Sequence, residues 1–144
     1  MAHEVLLQGH KKLLRKLQRL PDAVQRRILR PAVNKALTPI NRDAKRRAPK
    51  ETGLLRRSIG KKVKVYKRTG VVWGAVGIRK GYKTQLPDGS WRNPEMYAAL
   101  VERGTRTTRA QPFLRPAMDA NRERALSILA DAVRAGLAKE AARP

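Results

Sequence analysis

Tyr97-Ala98-Ala99-Leu100-Val101-Glu102-Arg103-Gly104-Thr105 is followed by a basic polar tract and then by Gln111-Pro112-Phe113-Leu114-Arg115-Pro116-Ala117. A short apolar run closes on a Gly-Thr turn, and a proline-framed Phe-Leu pair opens the last long pattern. Leu114, Ala117, Met118, Ala125, Ile128, Leu129, Ala132, Val133 and Leu137 recur as one apolar stripe, which predicts a C-terminal helix over residues 112–138. Pro112 favours a helix start and Pro116 fits the first turn. Gly136 loosens the end and the alanine-rich tail frays. Residues 95–102 form a pattern too short to separate helix from strand.

A second punctuated stretch stands upstream: Ala48-Pro49-Lys50-Glu51-Thr52-Gly53-Leu54-Leu55-Arg56-Arg57-Ser58-Ile59. Pro49 stops whatever precedes it, and Gly53 supplies the positive φ of a turn. Before it lies a helical region, residues 1–48. A first helix is expected over residues 9–20, with Leu6, Leu13, Leu17 and Leu20 on one face and Lys11, Lys12, Arg15, Lys16 and Arg19 opposite. That basic face suits phosphate or plain solvent equally well. Asp22 is placed as N-cap of a second helix reaching Arg47. Val24, Ile28, Ala32, Ala36, Ile40 and Ala44 recur every fourth residue in it. Pro31 and Pro39 predict kinks or a break.

Residues 58–68 read as a strand, with Ile59, Val63 and Val65 on one face and Lys62, Lys64 and Tyr66 on the other. Thr69-Gly70 turns the chain, and residues 71–78 return. Gly74 and Gly77 suggest a bulge or a close backbone neighbour, and Trp73 is assigned to the core. Residues 79–94 form a long polar excursion. Pro87-Asp88-Gly89-Ser90 is a turn across which residues 82–86 and 91–93 pair as a small arm. Tyr82 and Trp91 make it a candidate subunit-contact loop, the other reading being that the rings fold back onto the sheet. The expected fold class is α+β. One domain spans residues 1–144, with a small, mostly antiparallel sheet over residues 58–102 packed by the N-terminal helices and the C-terminal helix.

The 144 residues are long enough to hide about 70% of the unfolded surface. With six aromatic residues, the core must be aliphatic. The absence of cysteine removes disulfides and thiolate zinc sites. No apolar run reaches the roughly 20 residues of a membrane span, no signal-peptide layout opens the chain, and a soluble protein made in a cytoplasm is expected. The 34 Lys and Arg against 11 Asp and Glu give a net charge of +23. Residues 1–68 hold 21 basic and 4 acidic side chains, and residues 69–144 hold 13 and 7. Such asymmetry points to a polyanion nearby. Without a helix-turn-helix, zinc-finger or RNA-binding-sheet signature, it implies salt-sensitive phosphate contact rather than base readout.

Catalytic machinery is missing from the pattern. His3 and His10 are the only histidines, the acids are scattered, and no phosphate loop or Gly-x-Ser-x-Gly occurs. No cofactor, metal or enzymatic activity is expected. Glu102, at the hinge of the opening stretch, is better read as an ion-pair partner or a cap for the loop that follows.

The two punctuated stretches, in this order and spacing, resemble the neck or tail-completion family of long-tailed bacteriophages (siphophages). The residues carrying the resemblance are Pro49, Thr52, Gly53, Leu54, Ser58 and Ile59, then Tyr97, Glu102, Gly104, Thr105, Pro112, Phe113, Leu114, Pro116 and Ala117. It spans residues 11–137. The chain departs from the pattern in the excursion over residues 79–94 and in Arg103 and Arg106. The resemblance implies a structural virion protein of the neck, assembled in the host cytoplasm. It implies a homo-oligomeric ring around the DNA channel, needed for tail completion and head–tail joining. Its partners would be head connector or head-closure proteins and tail terminator or tail tube proteins. Lys61, Lys62, Lys64, Lys67 and Arg68 are then candidate contacts to channel DNA or to acidic neighbours. The alternative is a sequence-nonspecific nucleic-acid-binding protein.

Overall fold

A computed structural model describes residues 11–144; His3, Leu6, Gly9 and His10 lie outside the described residues. Nine elements follow in order: α1 (Lys11–Gln18), α2 (Asp22–Arg47), α3 (Leu54–Ser58), β1 (Ile59–Tyr66), β2 (Val71–Ile78), β3 (Thr84–Gln85), β4 (Trp91–Arg92), α4 (Pro94–Arg103) and α5 (Leu114–Ala141). The architecture is α+β: two long helices carry a hairpin on one side, and short helices close its base.

The backbone of the fold is α2, 26 residues long and unbroken at Pro31 and Pro39. Each proline leaves the carbonyl four residues earlier without its helical donor. Those carbonyls belong to Arg27 and Lys35, both at exposed positions where water can serve them. Asp22 is not the N-cap. Pro21 occupies that position (φ −55°, ψ 145°), and Asp22 is already helical, so no side-chain cap bond forms. Its charge still lies in the first turn, where it complements the helix dipole.

Helix α5 runs antiparallel to α2, since Gly136 lies against Ile28 while Asn121 meets Asp43. A Cβ on Gly136 would stand 2.8 Å from Ile28 Cγ2, so the glycine allows close helix approach there. The helix then continues to Ala141 rather than ending near Leu137. It starts at Leu114 with Phe113 as N-cap, and Pro116 falls in its first turn.

Strands β1 and β2 pair antiparallel from Ile59↔Ile78 to Tyr66↔Val71. Their inner face, including Val63 and Val76, packs with Ala36, Leu37 and Ile40 of α2. At Gly74 a Cβ would lie 2.6 Å from Val33 Cγ1. The glycine therefore marks a close helix, and the register runs past it without a bulge. Trp73 is not core. Gly74 must face α2, so its neighbour faces outward by strand alternation. Trp73 stands opposite Lys64 and is 46% exposed.

The expected single sheet resolves into two separate two-stranded hairpins. The second pairs Thr84 with Arg92 and Gln85 with Trp91. Residues 94–103 are helix rather than a further strand: Asn93 Oδ1 accepts Glu95 N–H at 3.0 Å, and Pro94 fits the first turn. The buried side chains of the described residues gather in three groups along α2. One of them joins Ala44, Ala48, Leu55, Ile59, Ala98, Phe113 and Ala117.

Candidate assembly surface

The two punctuated stretches meet in that last group. Leu54, Ser58, Ile59, Phe113 and Ala117 are each at most 1% exposed. Gly53, at φ +67°, occupies the N-cap of α3, and Thr52 Oγ1 accepts Leu54 N–H at 3.3 Å. Ser58 Oγ donates to Leu55 O at 2.6 Å, which satisfies a fully buried hydroxyl.

Glu102 is the joint. Its carboxylate accepts the backbone N–H groups of Phe113 (2.7 Å), Leu114 (3.0 Å) and Arg115 (2.9 Å). These are free amides at the start of α5, which has no side-chain cap of its own. The end of α4 thus caps the start of α5 across the intervening loop. Burial pushes the Glu102 carboxyl up, but the three N–H donors outweigh it, and its pKa lies below the usual range. Gly104 (φ +76°) has no room for a side chain, because a Cβ would lie 2.7 Å from Ala110 N. Thr105 Oγ1 accepts Thr108 N–H at 3.0 Å, and Gln111 N–H donates to Val101 O at 2.8 Å.

Above this joint, Pro49, Thr52, Leu55, Trp91, Tyr97 and Val101 line a surface cleft of about 430 Å³. Burial raises the Tyr97 phenol pKa. Pro112 is exposed and Leu114 and Pro116 are half-buried. Apolar surface continues outward from the cleft. Trp91 is 66% exposed, and Met96 and Leu100, one turn apart on α4, are also exposed. The sequence reading did not single out that methionine and leucine; their i, i+4 spacing opposite buried Ala98 was the available signal.

Within the arm, Tyr82 and Trp91 behave differently. Tyr82 is half-buried with the Arg79 guanidinium 4.7 Å over its ring, whereas Trp91 stands in solvent.

The five hairpin cations also divide. Lys61 faces α2, and its ammonium donates to Asn34 O at 3.1 Å and Thr38 Oγ1 at 3.0 Å. Lys62 and Lys64 project from the outer face, with Lys64 Nζ 4.8 Å from the Tyr66 ring centroid. Lys67 and Arg68 are exposed at the tip. Residues 52–87 hold ten Lys and Arg and no carboxylate.

Asp43 is the buried charge that the sequence reading passed over. It is 6% exposed and accepts from Arg47 Nε (3.0 Å), Arg46 Nε (3.1 Å) and Asn121 Nδ2 (2.8 Å). Burial raises its pKa, but the hydrogen bonds from Arg47 and Arg46 outweigh that, and the net shift is downward. The signal was an acid three residues after Ile40 on the apolar stripe, with arginines three and four residues further on.

Among the described residues no group of His, Cys, Asp or Glu could hold a metal, and no helix is long and apolar enough to cross a membrane. A family model described as "Bacteriophage HK97-gp10, putative tail-component" matches residues 11–104. The match takes in the whole stretch over residues 48–59 and ends at Gly104, short of Phe113 and Ala117. No curated protein and no solved structure matches.

Proposed function

Because the chain belongs to the HK97-gp10-like family of bacteriophage tail components, we propose that it is a structural subunit of the virion neck in a long-tailed phage. In this reading identical copies form a ring around the DNA channel and are needed for tail completion and head–tail joining. The ring would stand between head connector or head-closure proteins and tail terminator or tail tube proteins.

The family match carries the proposal. The charge supports it, since a channel through which DNA leaves the head surrounds a dense polyanion. Residues 52–87, ten cations without one carboxylate, are suited to such a neighbourhood. Lys62, Lys64, Lys67 and Arg68 are the proposed contacts. Lys61, already bonded to α2, would contribute field rather than contact. Trp91, Met96 and Leu100 are the proposed subunit contacts, because exposed aromatic and methionine side chains beside a cleft suit an interface core. The role is structural, and no catalytic step is assigned.

The test is electron microscopy of lysates from a phage lacking this gene. DNA-filled heads beside separate tails, rescued to infectious particles by the purified protein, is the expected result. Joined virions in normal number would sink the proposal. The net charge of +23 favours one second reading, a sequence-nonspecific nucleic-acid-binding protein. That protein would bind free duplex with an affinity falling steeply as salt rises. A ring subunit whose cations act only around a wide channel would bind free duplex poorly as a single copy.

A further inference from the structure

Strand β2 reads Val-Val-Trp-Gly-Ala-Val-Gly-Ile and carries no charge over its eight residues. Among the described residues it pairs with β1 alone. Arg79 N–H donates to Ser58 O at 2.9 Å just beyond the Ile59↔Ile78 pair. Ladder bonds alternate from there, so Val72, Gly74, Val76 and Ile78 turn their N–H and C=O groups away from β1. No group among the described residues takes these up. Edge strands are normally blunted by charge, proline, a bulge or a covering element. Strand β1 carries Lys62 and Lys64; β2 carries no charge, no proline and no bulge, and α4 approaches only its Val76–Ile78 end among the described residues.

Charge selects the occupant. Lys67 and Arg68 stand exposed at one end of β2 and Lys80 at the other, in a segment without carboxylates. A second copy would bring the same cations against these. On the outer face Val71 and Trp73 are 53% and 46% exposed, apolar surface that alternate side chains of a neighbouring strand would cover. Duplex DNA offers phosphates but neither peptide groups for the edge nor cover for Val71. We propose that the outer edge of β2 receives an extended acidic segment of a partner protein as a third strand. Its main chain pairs with Val72, Gly74 and Val76, its apolar side chains lie over Val71 and Trp73, and its carboxylates meet Lys67, Arg68 and Lys80. This inference requires a protein partner and does not depend on the neck location.

The test uses the full chain in a Trp91→Phe background, where Trp73 is the sole tryptophan. Its fluorescence is titrated with an alternating glutamate–valine peptide as long as the strand, with the lysine–valine counterpart, and with a short duplex oligonucleotide. Saturable binding of the glutamate peptide alone is expected. Methylating the peptide's alternate backbone nitrogens should weaken it about tenfold or more, as loss of main-chain hydrogen bonds requires. Val72→Pro should do the same, since its outward N–H is outside the β1–β2 ladder. The methylated peptide decides the matter if that variant fails to fold. Lys67→Gln combined with Arg68→Gln should weaken binding several-fold and flatten its salt dependence. Absence of binding at millimolar peptide, indifference to backbone methylation, or a Trp73 response to duplex alone would each overturn the proposal. So would self-association of the chain that Val72→Pro abolishes.

Discussion

Glu102 Oε2 accepts the backbone N–H of Phe113 at 2.7 Å, eleven residues further along the chain. Two helices and the buried group around Phe113 are joined through one carboxylate.

Glu102→Ala would leave the part-buried amides of Phe113 and Leu114 without an acceptor. The expected loss is about 1–3 kcal/mol, read as a fall in Tm by circular dichroism. Glu102→Gln keeps one acceptor oxygen and should lose less. Equal and negligible losses in both variants would show that the cap adds nothing.

Acid should weaken the fold through the same group and through Asp43. Their ordinary values are 4.5 and 3.8, and both lie lower in the native state. The folded protein therefore holds fewer protons than the unfolded chain in this range. The stability involved is complete above the ordinary values and is lost as pH falls through the native ones. Urea midpoints measured from pH 7 down to pH 3 should drop, and Glu102→Gln should flatten part of the decline. Self-repulsion of a +23 chain also grows in acid, so the difference between variant and parent is the informative quantity.

Asp43 and Asn121 tie α2 to α5 at 2.8 Å. A double-mutant cycle of Asp43→Ala and Asn121→Ala should give a coupling of roughly 0.5–3 kcal/mol. Additive losses would mean that Asp43 serves only its own helix through Arg46 and Arg47.

Gly74 and Gly77 sit on one strand and should respond oppositely to alanine. At Gly74 the new Cβ would stand 2.6 Å from Val33 Cγ1 and 2.9 Å from Leu37 Cδ1. Overpacking of this kind costs about 1–3 kcal/mol. At Gly77 nothing lies within 4 Å, so Gly77→Ala should be neutral or stabilise by about 0.4–1 kcal/mol. Denaturant midpoints of the two variants decide it.

The bounds of β2 and the reach of α2 to Arg47 were legible because the turn at Thr69-Gly70 and the stop at Pro49 are local chemistry. So was the pairing across Pro87-Asp88-Gly89-Ser90. The face of β2 was not. Every residue of that strand is apolar or small, so alternation offers no contrast. Only the approach of Val33 and Leu37 to Gly74 turns Trp73 outward. Helix α4 was written in Asn93-Pro94-Glu95, a cap, a first-turn proline and a first-turn acid, but its short apolar run masked the signal. Asp22 failed as a cap because Pro21 had already taken the extended backbone that a cap needs. The two punctuated stretches were legible as motifs. Their convergence on Phe113 and Ile59 was not, because it depends on how the chain closes in space.

The loop from Gly104 to Pro112 is fastened at its base, by Glu102 to Phe113 and by Val101 to Gln111. Inside it Thr105 and Thr108 close a small turn whose tip, Arg106-Thr107, is exposed. Doubling the length of a closed loop adds only about 0.6 kcal/mol of entropy. A peptide tag spliced between Arg106 and Thr107 should leave both helices seated, giving a handle on the subunit that disturbs neither the hairpin nor the cleft.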